Sequence, residues 1–92
     1  MTLRIDVVAA EDPPTIVLSG RLSRAEVAEF ERTVAETGLP LRIDLGQLVQ
    51  ADAEGRQSLC RQKRSGAVLV GASPYVGLLL DSADEAEREH EK

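Results

Sequence analysis

The sequence predicts an α/β fold: a mixed four-stranded sheet with helices mainly on one face, in the element order β-β-α-β-α-β-α. Three observations predict it. Leu3, Ile5 and Val7 alternate with Arg4 and Asp6, and Leu41, Ile43 and Leu45 alternate with Arg42 and Asp44, which is the two-residue period of strands with one buried side. Between these segments Ser23 and Glu26 form a capping box, and Leu22 and Val27 stand at the staple positions of a helix start. After the first two strands, helices and strands alternate, which implies right-handed parallel crossovers. The short loop between those two strands adds an antiparallel edge.

The first strand spans Thr2 to Val8 and is interrupted by Glu11, Asp12, Pro13 and Pro14. A second strand follows from Thr15 to Ser19 and is ended by Gly20. The first helix buries Val27, Phe30 and Val34 and turns Glu29, Glu31, Arg32 and Glu36 to water, with Gly38 as its cap and Pro40 preventing continuation. The third strand, Leu41 to Leu45, gives way to a turn from Gly46 to Ala51. A second helix then runs from about Asp52 to Ser65 and is closed by Gly66. Its buried stripe is thin, consisting of Ala53, Leu59 and Cys60, while Arg56, Arg61, Lys63 and Arg64 form a basic flank. Gly55 in the first turn costs up to about 1 kcal/mol of helix propensity relative to Ala, so close approach of the helix backbone to the sheet is the expected return. Ala67 to Val70 is a continuous apolar run suited to a strand inside the sheet. Ser73 and Pro74 open a third helix that packs through Val76, Leu79 and Leu80. The domain is expected to cover residues 1–80, with 81–92 an acidic C-terminal tail, part helix and part disordered.

At 92 residues, 42% hydrophobic and 29% charged, the chain suffices for one domain with a core of its own. A net charge of -5, with Phe30 and Tyr75 the sole aromatic residues, argues against nucleic acid as a partner. No apolar run approaches a bilayer span and no signal-like block follows Met1, so a cytoplasmic location without direct membrane insertion is expected. Cys60 and His90, each the single residue of its type, cannot assemble a disulfide or a usual zinc set. No metal and no cofactor is expected.

Catalytic chemistry finds little to work with. Gly20-Arg21-Leu22-Ser23 lacks the glycine spacing and the lysine of a phosphate loop, and Gly71-Ala72-Ser73-Pro74 has one glycine where a cradle needs several. A serine-histidine-carboxylate triad would have to recruit His90 from the tail. Asp44, Asp52 and Glu54 are carboxylates near one strand end, and a concave pocket with a raised carboxylate pKa is what would make them an active site. No catalytic residue is expected.

Leu18-Ser19-Gly20-Arg21-Leu22 after the second strand, Ile43-Asp44-Leu45 in the third, Asp52-Ala53-Glu54-Gly55 opening the second helix, and Gly66 to Gly71 followed by Ser73-Pro74 form one ordered set. In order and spacing the chain resembles the STAS family, over roughly Leu3 to Leu80. That family comprises small domains of anti-sigma-factor antagonists, of the cytoplasmic ends of sulphate transporters and of a bacterial lipid-transport ABC system. Its members usually read Asp-Ser-Ser-Gly or Asp-Ser-Ala-Gly at the positions of Asp52 to Gly55, and a partner kinase phosphorylates the first serine. Here that position is Ala53, which has no hydroxyl, so no phosphorylation is expected there. Glu54 carries at most one charge against the -1.5 to -2 of a phosphoserine and is a poor mimic of it. Ser23 stands where the family often has Asp, and Asp81-Ser82-Ala83-Asp84-Glu85 replaces a more apolar ending.

The resemblance implies a non-catalytic protein-interaction module of the bacterial cytoplasm, similar to an anti-sigma-factor antagonist and so tied to regulation of transcription, but non-phosphorylatable at Ala53. It implies a partner-binding surface of Asp52, Ala53, Glu54, Gly55 and Arg56 with Ser19 and Arg21 beside them, facing an anti-sigma kinase-like protein. One alternative keeps the fold and changes the partner to the ATPase of a lipid-transport ABC system, with this chain as its cytoplasmic accessory subunit. Another is a small carboxylate-dependent enzyme. Homodimerisation through the outer sheet face would have to bury Arg4, Asp6, Arg42 and Asp44.

Overall fold

The computed structural model describes residues 3–90, with side chains described for residues 3–82. Its elements are β1 (Leu3–Val8), β2 (Thr15–Leu22), α1 (Arg24–Thr37), β3 (Arg42–Ala51), α2 (Ala53–Ser65), β4 (Val68–Val70) and α3 (Pro74–His90). The sheet runs β1-β2-β3-β4 in space, with β1 antiparallel to β2 and the other pairs parallel. The α/β class, the mixed four-stranded sheet and the element order are those the sequence predicts.

The period-2 alternation of β1, β2 and the start of β3 divides the sheet into two faces. Ile16, Leu18, Ile43 and Leu45 are wholly buried, and Phe30 of α1, Leu59 of α2 and Val76 of α3 meet them in one cluster. Each helix thus drives one fully buried side chain into the core, where burial of that size is worth roughly 1.5–3 kcal/mol apiece. The helices form a row, α1 against α2 and α2 against α3. The intervening strand residues Arg4, Asp6, Val17, Ser19, Arg42 and Asp44 make the opposite face. There Arg4 Nε pairs with Asp6 Oδ2 at 3.0 Å, an exposed ion pair of little energetic weight.

The helix ends follow their local chemistry. Glu26 reaches back to the N–H of Ser23 (3.2 Å) and to its hydroxyl, and Gly38 caps α1 by donating to Val34 O. Gly66 closes α2 in the left-handed region, and Ser73 Oγ accepts from Val76 N at 3.2 Å to open α3. The backbone of α3 stays helical to His90, so the acidic segment from Asp81 continues the helix. The expected disordered end falls on residues 91 and 92, outside the described residues. Among the described residues, no helix is long and apolar enough to cross a membrane.

Several expectations are corrected. The second strand does not stop at Gly20 but continues to Leu22, and β3 does not end at Leu45 but runs through the predicted turn to Ala51. The reason lies in the register: between Val17 and Ser19, and again between Gly20 and Arg21, β3 supplies one more residue than β2. These irregularities turn the two-residue burial period into the three-residue spacing of Leu45, Leu48 and Ala51, which does not read as a strand. The run at Ala67 to Val70 forms an edge strand rather than an interior one, and Val68 is more than half exposed. In α2 the buried residues are Gly55, Ser58, Leu59 and Cys60, while Ala53 is exposed.

Glu31 also departs from its predicted exposure to water. Its Oε2 accepts from the Ser58 hydroxyl at 2.7 Å and from Arg61 Nη2 at 2.6 Å, tying α1 to α2. The hydrogen bond from buried Ser58, followed by that from Arg61, lowers the Glu31 pKa below the ordinary carboxylate value. A depressed folded-state pKa contributes stability that is present above the unfolded pKa and is lost as pH falls through the folded one. Urea titrations of wild type and Glu31→Gln from neutral to acid pH are expected to show the wild-type advantage shrinking across and below the ordinary Glu range. A pH-independent gap between the two proteins would refute the link.

Candidate functional site

The strand–helix corner at Asp52 is built from three chain segments. Asp52 follows the last residue of β3 and has extended backbone, so its side chain folds over the start of α2, where Oδ1 accepts from Gly55 N at 2.8 Å. Its other oxygen, Oδ2, accepts from Arg24 N at 2.8 Å, the first residue of α1. Its own N–H donates to Leu22 O, the end of β2, at 3.1 Å. One carboxylate therefore satisfies a free N–H at the start of two helices, each with a partial positive charge to complement.

Gly55 explains how close these segments lie. A Cβ built on it would stand 3.1 Å from both the carbonyl carbon and Cγ of Leu22, and nearer still to the Leu22 carbonyl oxygen. The expected close approach of helix backbone to sheet is present, and its contact is the last residue of β2. Arg56 turns back to donate from Nη1 to Ala51 O at 3.1 Å, which closes the other flank of the corner.

The residues that the sequence singled out divide accordingly. Asp52, Gly55 and Arg56 hold the corner together, and Ala53 and Glu54 project from it exposed. Arg21 is exposed and pairs in register with Gln50, next to the corner. Ser19 lies farther back in β2, flanked by Arg4 and Gln47, and so stands on the outer sheet face rather than with Ala53.

Asp44 does not join the other carboxylates. Because β3 is continuous, Asp44 and Asp52 are separated by eight residues of mostly extended chain, on the order of 25 Å. Asp44 Oδ1 instead accepts from Gly46 N at 2.8 Å. Among the described residues no group of three or more His, Cys, Asp or Glu side chains is placed to hold a metal ion. Ser58, a neighbouring hydroxyl, is wholly buried and committed to Glu31, so a kinase could reach it only by separating α1 from α2.

Three exposed apolar residues escape the sequence reading. Val49 is 62% exposed, Tyr75 52% and Leu78 67%, and Gln50 Nε2 donates to the Tyr75 hydroxyl at 3.1 Å, which joins the end of β3 to the first turn of α3. Tyr75 and Leu78 lie three residues apart on α3, on one side of the helix. The one available signal was Tyr75 itself, an aromatic residue just after a helix start. Val49 fell in the segment that reads as a turn. No family model matches this chain, and no curated protein matches it either.

Proposed function

We propose that this chain is a non-catalytic protein-interaction module of the STAS type, acting as an anti-sigma-factor antagonist does but without a serine switch. The observation that carries the reading is the pairing of exposed Ala53 and Glu54 with a hydrogen-bonded base beneath them, made by Asp52 and Gly55. A docking corner needs accessible side chains on a scaffold that does not move, and this corner joins the ends of β2 and β3 to the starts of α1 and α2. Exposed Tyr75, hydrogen-bonded to Gln50 at the end of β3, is an aromatic residue of the kind that anchors protein partners. The separation of Asp44 from Asp52 and Glu54 supports the non-catalytic reading over a carboxylate-dependent enzyme.

Without a hydroxyl at residue 53 the surface is permanently in one state, so control of binding falls to the abundance of the chain or of its partner. The same missing hydroxyl favours a second reading, a cytoplasmic accessory subunit docked on the ATPase of a lipid transporter, which has no need of a phosphoserine. Affinity capture from native extract with the full chain as bait separates the two readings. A histidine-kinase-like ATPase supports the first and a transporter ATPase the second. Recovery of neither, at bait concentrations that saturate a micromolar interaction, sinks both.

Glu54→Lys checks the surface itself. Both residues are solvated at this position, and the charge is reversed at the positive end of α2, so stability is expected to stay within about 1 kcal/mol of wild type by urea denaturation. Affinity for the captured partner is expected to fall about tenfold or more through charge reversal at the contact. Undiminished affinity would take Glu54 out of the docking surface.

A further inference from the structure

Among the described residues β1 is an edge of the sheet, paired with β2 alone. Alternate N–H and C=O groups along its other side therefore point away from the sheet, with the geometry to receive a further strand. The two edges of the sheet differ. β4 is three residues long, whereas the six residues of β1 hold unbroken register with β2, free of the irregularities found between β2 and β3. β1 also contains neither proline nor lysine, the residues that commonly blunt an edge.

The side chains of β1 divide by face. Leu3 and Ile5 pack against the core cluster, and Val7 continues their row by alternation. The helices pack over β2 and β3, which leaves this row incompletely covered: Leu3 and Ile5 are half-buried and Val7 is 48% exposed. Arg4 and Asp6 stand on the outer face, paired with each other and open to solvent.

Outward from Ile5 the strand is complementary to itself. A two-fold axis at Ile5 that sets two β1 strands antiparallel places Ile5 opposite Ile5 of the second copy, Leu3 opposite its Val7, and Arg4 opposite its Asp6. Side chains so opposed have Cβ atoms about 4.5–5.5 Å apart, within reach of an ion pair. Other registers lose the match. An axis at Arg4 or at Asp6 sets that charge against its own copy, and a slip of one residue turns each apolar row toward the other's polar face. From this complementarity we propose that two copies of the chain associate through their β1 edges, as a two-fold dimer with one sheet running through both. Arg4, Asp6, Arg42 and Asp44 keep their access to water in this arrangement, so the desolvation that opposes packing of the outer faces does not arise. Ala53 and Glu54 take no part in it, and the inference is independent of the docking corner.

Sedimentation velocity of the full chain across a concentration series at low ionic strength tests this. One strand pair is a small interface, so wild type is expected to pass from one chain toward two only as its concentration rises toward about 1 mM. Arg4→Glu and Asp6→Arg each oppose like charges at both symmetric contacts, and each is expected to weaken the dimer about tenfold or more. Both side chains are solvent-exposed, so the melting temperatures of these variants are expected to stay near that of wild type. Mixing the two variants opposes unlike charges at both contacts and is expected to restore association. The double variant Arg4→Glu/Asp6→Arg, with the charges exchanged within one chain, is expected to dimerise by itself. A wild type that stays monomeric up to about 1 mM overturns the inference. So does a dimer indifferent to the single substitutions, or failure of the mixture or of the double variant to restore it.

Discussion

Gly55→Ala is expected to destabilise the domain by about 1–3 kcal/mol, the range for forcing an extra methyl group into a closed contact. The sign is informative, because an unobstructed helix gains up to about 1 kcal/mol from the same substitution. At Gly55 the new methyl meets the Leu22 backbone, not the flexible end of a side chain. That backbone cannot retreat freely, since Leu22 O accepts the Asp52 N–H at 3.1 Å and Leu22 pairs in register with Ala51. Either α2 lifts from the sheet or the β2–β3 ladder opens at its end. Gly77→Ala provides the opposite control: with nothing within 4 Å, it is expected to stabilise by about 0.4–1 kcal/mol. For a domain of this size that is a rise of a few degrees in melting temperature. Thermal and urea unfolding of the two variants side by side decides the matter. Equal stabilisation by both alanines would mean that the start of α2 is not packed on Leu22.

The contrast between those two glycines also shows what a linear pattern carries. Both stand inside helices, and composition gives them the same cost. What distinguishes them is the presence or absence of Leu22, thirty-odd residues from one of them and remote from the other. Elements set by local chemistry were legible for the converse reason. Ser23 with Glu26, Gly38, Gly66 and Ser73 with Pro74 each specify a helix end within four residues, and each helix end is where they place it. The second half of β3 was not legible, because its two extra residues respond to pairing with β2 and leave Leu45, Leu48 and Ala51 at a spacing that belongs to no regular element.

The same limit governs the candidate site. Asp52 reads as a helix cap from its own neighbourhood, and it is one. Its bond to Arg24, 28 residues earlier, and the bonds of Glu31 to Ser58 and Arg61, 27 and 30 residues later, join helix positions that a local pattern assigns separately to solvent or core. Gln50 and Tyr75 meet only because β3 extends past the end of β4. Long-range polar contacts therefore decide which carboxylates are structural and which, like that of Glu54, stay exposed to solvent.

Asp52→Ala is expected to cost about 2–4 kcal/mol, from the loss of a helix cap together with a second hydrogen bond to a charged acceptor. Set against the roughly 5–15 kcal/mol that holds a typical domain, this is a large share. Asp52→Asn separates the two contributions: a carboxamide has one acceptor oxygen where the carboxylate has two, so it can retain the bond to Gly55 or to Arg24 but not both. An intermediate loss, near half that of alanine, is the expected outcome. Amide hydrogen exchange then identifies the bond retained, because both the Arg24 and Gly55 amides lose protection in Asp52→Ala and only one of them does in Asp52→Asn. A melting temperature for Asp52→Ala within a degree of wild type would mean that the carboxylate does not join the two helix starts. The size of the effect also fixes how binding experiments must be read. A variant that loosens the starts of both α1 and α2 displaces Ala53 and Glu54 along with them, so loss of a partner on changing Asp52 cannot assign a contact to Asp52. Only substitutions that leave the corner intact, as Glu54→Lys is expected to, distinguish a side chain that touches a partner from one that holds the surface in place.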